Sequence, residues 1–258
     1  MKQTALNIQD ALFEYCLRIG DTSLISGQRL SEWCGHAPIL EEDIALSNIS
    51  LDLIGQARIM LTYACKVEGK GRTEDTLAYL RDERQFRNLL LVEQPNGDFA
   101  MTITKQFFIS VYNFHLYSQL SQSKDETVAA FAAKSIKEVA YHVRHSSDWM
   151  LRLGDGTPES HERLVAAVNE LWYYVEDMFR SDGVDELLLQ NGIGASMEEV
   201  RKNWFAFIND TFNKAGLTIP EVKNSMLKGS RDGYHTEQLG YILAEMQFLP
   251  RAYPDAQW

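Results

Sequence analysis

The sequence predicts an all-α fold built on a four-helix bundle, and three observations carry that expectation. Apolar residues recur at spacings of three and four over long stretches, and no stretch alternates with the period of two that a half-buried strand needs. The six prolines and sixteen glycines fall mostly between the periodic stretches, where helix boundaries require them. Finally, two short-linked pairs of long helices are separated by one long connection, which must run the length of a bundle to join them.

The first helix is expected over about residues 5–33, with Gly20 and Gly27 as weak points. His36-Ala37-Pro38 is a turn, and Pro38 suits the first turn of the next helix. That helix, about 39–67, carries the stripe Leu46, Ile49, Leu53, Ala57, Met60, Ala64, Val67. The connection over 69–97 contains short helical pieces and ends in Gln94-Pro95-Asn96-Gly97, a turn in which Pro fixes φ and Asn-Gly accepts left-handed geometry. A third helix runs over about 98–121 from a capping Asp98. The fourth covers about 125–153, some 40 Å of helix, with the stripe Val128, Ala132, Ser135, Val139, His142, Ser146, Trp149, Leu153. Peripheral helices over 158–249 follow, the first carrying Leu164, Val168, Leu171, Val175 and Met178. The whole chain, 1–258, reads as one ferritin-like helical domain with one long crossover and added C-terminal helices.

Composition excludes several function classes. Twenty-five Lys plus Arg against 36 Asp plus Glu give a net charge of −11, the wrong sign for binding nucleic acid or anionic membranes. At 45% hydrophobic residues the chain is too apolar for a disordered protein. Asp10, Glu14 and Asp21 interrupt what a signal peptide would need unbroken, and no window suits a membrane span, so a cytoplasmic protein is expected. Cys16, Cys34 and Cys65 are odd in number and widely spaced, and read as reduced thiols. Arg81-Asp82-Glu83-Arg84 alternates in sign and reads as salt-bridged surface. No G-x-S-x-G, Walker or G-x-G-x-x-G motif occurs.

Bundles of this class often hold two iron ions between one carboxylate from each of two helices and Glu-x-x-His from each of the others. Residues three apart share a helix face, so the Glu and His can meet one metal. This chain has no Glu-x-x-His; only Asp232-Gly-Tyr-His235 approaches the spacing, in a Gly-rich connection outside the bundle. From Phe99 to Lys124 there is no Asp or Glu, so the third helix offers no carboxylate. Glu138 and His142, Glu32 and His36, and the pair His142 and His145 remain; their ordinary reading is a helix-surface contact or a satisfied core histidine. His115 reads the same way, and the other acids as solvated helix faces, with Glu41, Glu42 and Asp43 favoured at a helix start.

Four stretches, GQRLSEWCGHAPILEEDIALSNISLDLIGQAR at 27–58, RDERQFRNLLLVEQPNGDFA at 81–100, AKSIKEVAYHVRHSSDWMLRLGDGT at 133–157 and HTEQLGYILAEMQFL at 235–249, carry a further signal. They resemble the C-type, non-catalytic subunits of bacterial phenylacetyl-CoA 1,2-epoxidases, which are multicomponent ring oxygenases. The resemblance implies a ferritin-like relative of the catalytic di-iron subunit. Where that catalytic relative has Asp-Glu-Ala-Gly-His, this chain has Asp52-Leu53-Ile54-Gly55-Gln56, so the ligand Glu is replaced by Leu53 and the ligand His by Gln56. On the fourth helix the Glu-x-x-His frame falls on Val139 and His142, and only His142 is retained.

The resemblance therefore implies a degenerate di-iron site with no catalytic, cofactor-binding or metal-binding residue of its own. It implies a scaffold subunit of phenylacetate catabolism that supports a catalytic di-iron partner, as a homodimer or hetero-oligomer. In that complex the partner would insert one oxygen atom from O2 into phenylacetyl-CoA, with electrons from NADPH through a separate reductase. The rival expectation is an active di-iron oxidase with an atypical ligand set, drawn from Glu138, His142 and His145.

Overall fold

The computed structural model describes residues 6–221, 228–254 and 256, and among them every regular element is helical. The expected start of the first helix at residue 5 and the end of the tail at Trp258 lie outside the described residues. Helix α1 (Ile8–Ser31) begins on Asn7, whose side chain accepts from Asp10 N at 2.8 Å. Helix α2 (Leu40–Glu68) ends on Gly69, whose φ of 70° is the left-handed conformation that glycine reaches without strain. Pro38 precedes the N-cap Ile39 and so sits before the helix, not in its first turn.

The two glycines expected to weaken α1 do the opposite. A Cβ on Gly20 would lie 2.8 Å from Leu61 Cδ2, and one on Gly27 would lie 3.0 Å from Ile54 Cγ1 and 3.2 Å from Ser50 O. Their missing side chains let α1 and α2 pack at close range, and Ser50 Oγ donates to Gly27 O across the seam at 2.7 Å. Helix α1 continues through both.

The crossover carries α3 (Glu74–Tyr79), a 3-10 turn (Glu83–Gln85) and α4 (Leu90–Glu93). It is inlaid in the bundle: Phe86, Leu89, Leu91 and Val92 are buried in the main core. Polar anchors fix it there. Buried Arg81 pairs with buried Asp21, Arg87 N donates to the same carboxylate, and Arg87 Nε meets Glu14 at 2.8 Å. The alternating run at 81–84 is thus only partly surface, because tertiary pairing takes Arg81 inside.

Helix α5 (Phe99–Leu120) starts on Asp98, which accepts from Met101 N at 2.9 Å, and α6 (Glu126–Gly154) starts on Asp125. α5 packs on α6 and α2 meets α6, completing a ferritin-like bundle with α1. α7 (Pro158–Leu171) lies on the outer face of α5. A 3-10 turn (Trp172–Tyr174) then interrupts the expected fifth helix and leads into α8 (Val175–Met178). Next come α9 (Gly183–Gln190) against α1, and α10 (Met197–Ala215) over α5 and α6. A 3-10 turn (Ser230–Asp232) precedes α11 (Glu237–Met246) and α12 (Phe248–Ala252).

Helix α5 is consequently covered on both sides, and its outer face joins Trp172, Trp204 and Phe212 in an aromatic cluster around Phe108. A helix buried all round carries no charge that packing cannot pair, which accounts for its lack of acids. Lys105, its buried cation, donates to Gln94 O at 2.6 Å and Asn96 Oδ1 at 3.1 Å. On α6 the buried stripe runs from Val128 to Ser146 as expected, but then takes Met150, with Trp149 and Leu153 only half-buried. Contrary to the sequence expectation, among the described helices α2 is long and apolar enough to cross a membrane by length and composition, and 44% of that window is buried in the bundle. Cys16 and Cys65 are buried, Cys34 is exposed, and all three are free.

Candidate functional site

The four positions singled out by the di-iron frame are all buried: Leu53 and Gln56, each 1% exposed, on α2, and Val139 (0%) and His142 (1%) on α6. Leu53 belongs to a small apolar cluster with Leu30, Leu46 and Ile49, set apart from the main core. Val139 belongs to the main core.

Gln56 works as a hydrogen-bond relay. Its Nε2 donates to Glu138 Oε2 at 3.0 Å, and its Oε1 accepts from Tyr117 Oη of α5 at 3.4 Å. An amide so occupied presents no nitrogen lone pair to a metal. Burial pushes the Tyr117 phenol above its ordinary range, so it stays a neutral donor.

His142 and His145 face α2, and each is taken by a carboxylate there. His142 Nε2 lies 3.0 Å from Asp52 Oδ2, and His145 Nε2 lies 2.8 Å from Glu42 Oε2. With Gln56–Glu138 these make three polar rungs between α2 and α6. Glu138, His142 and His145, the ligand set of the rival reading, therefore have three different partners and do not converge. Neither Glu138–His142 nor Glu32–His36 forms the helix-surface contact that spacing alone suggested; Glu32 instead meets Arg29 and Asn96.

The residues present do not fit a di-iron centre. α5 supplies no carboxylate, Leu53 and Val139, which the resemblance sets against ligand glutamates, are hydrocarbon, and the buried acid of α1, Asp21, is neutralised by Arg81. Among the described residues no three His, Cys, Asp or Glu side chains are grouped as metal ligands would be. Two bridging carboxylates are what make a buried pair of metal cations tolerable, and the Leu53 and Val139 side chains can supply none.

The structure corrects the reading of the acids as a purely solvated set. Asp21, Glu93, Asp177 and Asp185 are buried. Asp177 accepts from Leu90 N at 3.1 Å and Gly229 N at 3.1 Å, and Asp185 holds Arg18 at 2.9 Å. Glu93 is the most fully bonded. It accepts from Asn88 Nδ2 (2.9 Å), Thr236 N (2.6 Å), Thr236 Oγ1 (2.8 Å) and His235 Nδ1 (2.9 Å), while His235 Nε2 meets Phe86 O at 3.0 Å. His235, set aside in sequence as part of a Gly-rich connection, thus latches the C-terminal segment to the crossover. The α2–α6 rungs did leave a sequence signal: Asp52 and Gln56 are four apart, as are Glu138 and His142, complementary pairs on two facing helices. Glu93–His235 left none, being 142 residues apart.

Comparison with known proteins shows the family of this chain. A curated protein from Escherichia coli (strain K12), named as the C component of 1,2-phenylacetyl-CoA epoxidase, is 49% identical over 247 residues, covering 96% of this chain and 99% of that protein. The family model described as phenylacetic acid catabolic protein matches residues 1–258. By the helical frame, by near full-length similarity to a curated relative and by the match of the whole sequence, this chain belongs to the phenylacetic acid catabolic protein family.

Proposed function

We propose that this chain is a non-catalytic structural subunit of a multicomponent phenylacetyl-CoA epoxidase. It binds and supports a separate di-iron catalytic subunit in the cytoplasm during aerobic phenylacetate degradation. The observation that carries the proposal is the occupancy of the di-iron frame: Leu53, Gln56, Val139 and His142, with no carboxylate from α5. A bundle filled in this way needs no metal for stability, and its side chains perform no step of oxygen insertion. Its contribution is a rigid, pre-formed surface for the partner. Near full-length similarity to the C component of the Escherichia coli epoxidase supports the place in such a complex.

Two measurements test the proposal. Co-expression with the catalytic subunit from the same source, followed by size exclusion, is expected to give co-elution; separate elution removes the scaffold role. Iron analysis of the chain purified alone is expected to give far less than one iron per chain, and near-stoichiometric iron removes the non-catalytic reading.

A further inference from the structure

A small cavity of about 20 Å³ lies where α1, α5 and α9 meet the Ser230–Asp232 turn. Its polar lining comes from Tyr15, Arg18, Tyr112, Asp185 and Arg231. Four buried polar atoms on these residues have no hydrogen-bond partner among the described residues: Tyr15 Oη, Arg18 Nε, Asp185 Oδ1 and Arg231 Nε. Tyr112 Oη lies 3.8 Å from the weak acceptor Met197 Sδ. Orphaned polar atoms are rare in protein interiors, and several around one cavity is rarer still.

Size and charge select the occupant. One water needs roughly 10–15 Å³ of such space, so this cavity takes one and excludes any polyatomic ligand. An anion would face the Asp185 carboxylate, and the positive charge of Arg18 is already matched by Asp182 at 2.6 Å and Asp185 at 2.9 Å. The orphans comprise an acceptor, two guanidinium donors and a hydroxyl that can be either, and one water molecule can answer them with its two donors and two acceptor sites.

We propose that a single water molecule is bound in this cavity, bridging Asp185 Oδ1, Tyr15 Oη and Arg231 Nε. It completes a chain of contacts from Arg18 of α1 through Asp185 of α9 to Arg231, and so ties the turn before α11 to the bundle. The same turn is held from its other side by Asp177, which accepts from Gly229 N and Ser230 N. The water is thus part of the docking of the C-terminal segment.

A crystal structure of the full chain that resolves ordered solvent tests this directly. One water peak is expected within about 2.7–3.2 Å of Asp185 Oδ1 and at least one of the other two atoms. A dry cavity, direct pairing of the three atoms, or an anomalous peak there after a bromide soak would each overturn the proposal. Tyr15→Phe supplies an independent reading by urea unfolding. With the water present, losing the hydroxyl lowers the folding equilibrium constant about fivefold. An unchanged or raised constant overturns the proposal, because deleting an unpartnered buried hydroxyl carries no such loss.

Discussion

Replacing His235 with Leu removes the cation from a carboxylate that solvent cannot reach. Glu93 and the His235 side chain are both 0% exposed, and both ring nitrogens face acceptors, Glu93 Oε2 and Phe86 O. Only the imidazolium donates at both positions. Burial opposes that charge, but the Glu93 hydrogen bond and attraction, with the Phe86 carbonyl, outweigh it and raise the His235 pKa above its ordinary value. Breaking a buried pair by removing one partner costs about 3–5 kcal/mol. Glu93 keeps its bonds from Asn88 and Thr236, which places the loss near the lower end, about 3 kcal/mol. For a chain of this size that is a fall in Tm of about 6–12 °C.

The sign of the pH dependence follows. A histidine raised on folding stabilises fully below its unfolded pKa of about 6.5, and the contribution is lost as pH rises through the folded value. Urea midpoints of wild type and His235→Leu are therefore expected to differ most near pH 6 and to converge at alkaline pH. Glu93→Gln, which keeps the size of the side chain, is expected to flatten the same dependence. A gap below 1 kcal/mol at pH 6, or one that is constant with pH, would refute the imidazolium latch.

Three further outcomes are expected. Leu53→Glu places a carboxyl among Leu30, Leu46 and Ile49 and should cost about 3–5 kcal/mol at pH 7 and less at pH 5, where the group is more readily neutral; full rescue by ferrous iron in a urea titration would show that the frame still holds a metal. Asp21→Asn leaves Arg81 buried without its counter-charge and should lower stability by about 3 kcal/mol, read by calorimetry. Burial, and then Arg29, lower the Lys105 pKa to about 7. Between pH 7 and 10 the unfolded chain then binds more protons there, so this group makes stability rise with pH, opposite to His235, and Lys105→Met should remove that rise in urea midpoints.

The burial of Leu53 and Val139 was legible in sequence because it depends on residue type at fixed helical spacing. Leu53 and Val139 sit on apolar stripes, and a stripe declares burial before any partner is known. The rungs across α2 and α6 were half-legible: spacing put Asp52 beside Gln56 and Glu138 beside His142, but spacing within one helix cannot say which faces pair. His142 consequently found Asp52 where its own helix offered Glu138. The acid-free α5 had two meanings, a lost ligand and a helix enclosed on both sides, and only the packing of α7 and α10 revealed the second.

The sequence by itself determined the long helices, the cap at Asp98, the long crossover and the absence of any carboxylate on α5, since each follows from local periodicity or residue identity. Only the tertiary structure decided where the charges go. Asp21 with Arg81, Glu93 with His235 and Asp185 with Arg18 are partners 60 to 167 residues apart, and charge alone reads as surface. Tertiary structure also turned Gly20 from a weak point into a contact, because a missing Cβ is a cost to an isolated helix and an opening when another helix packs against it.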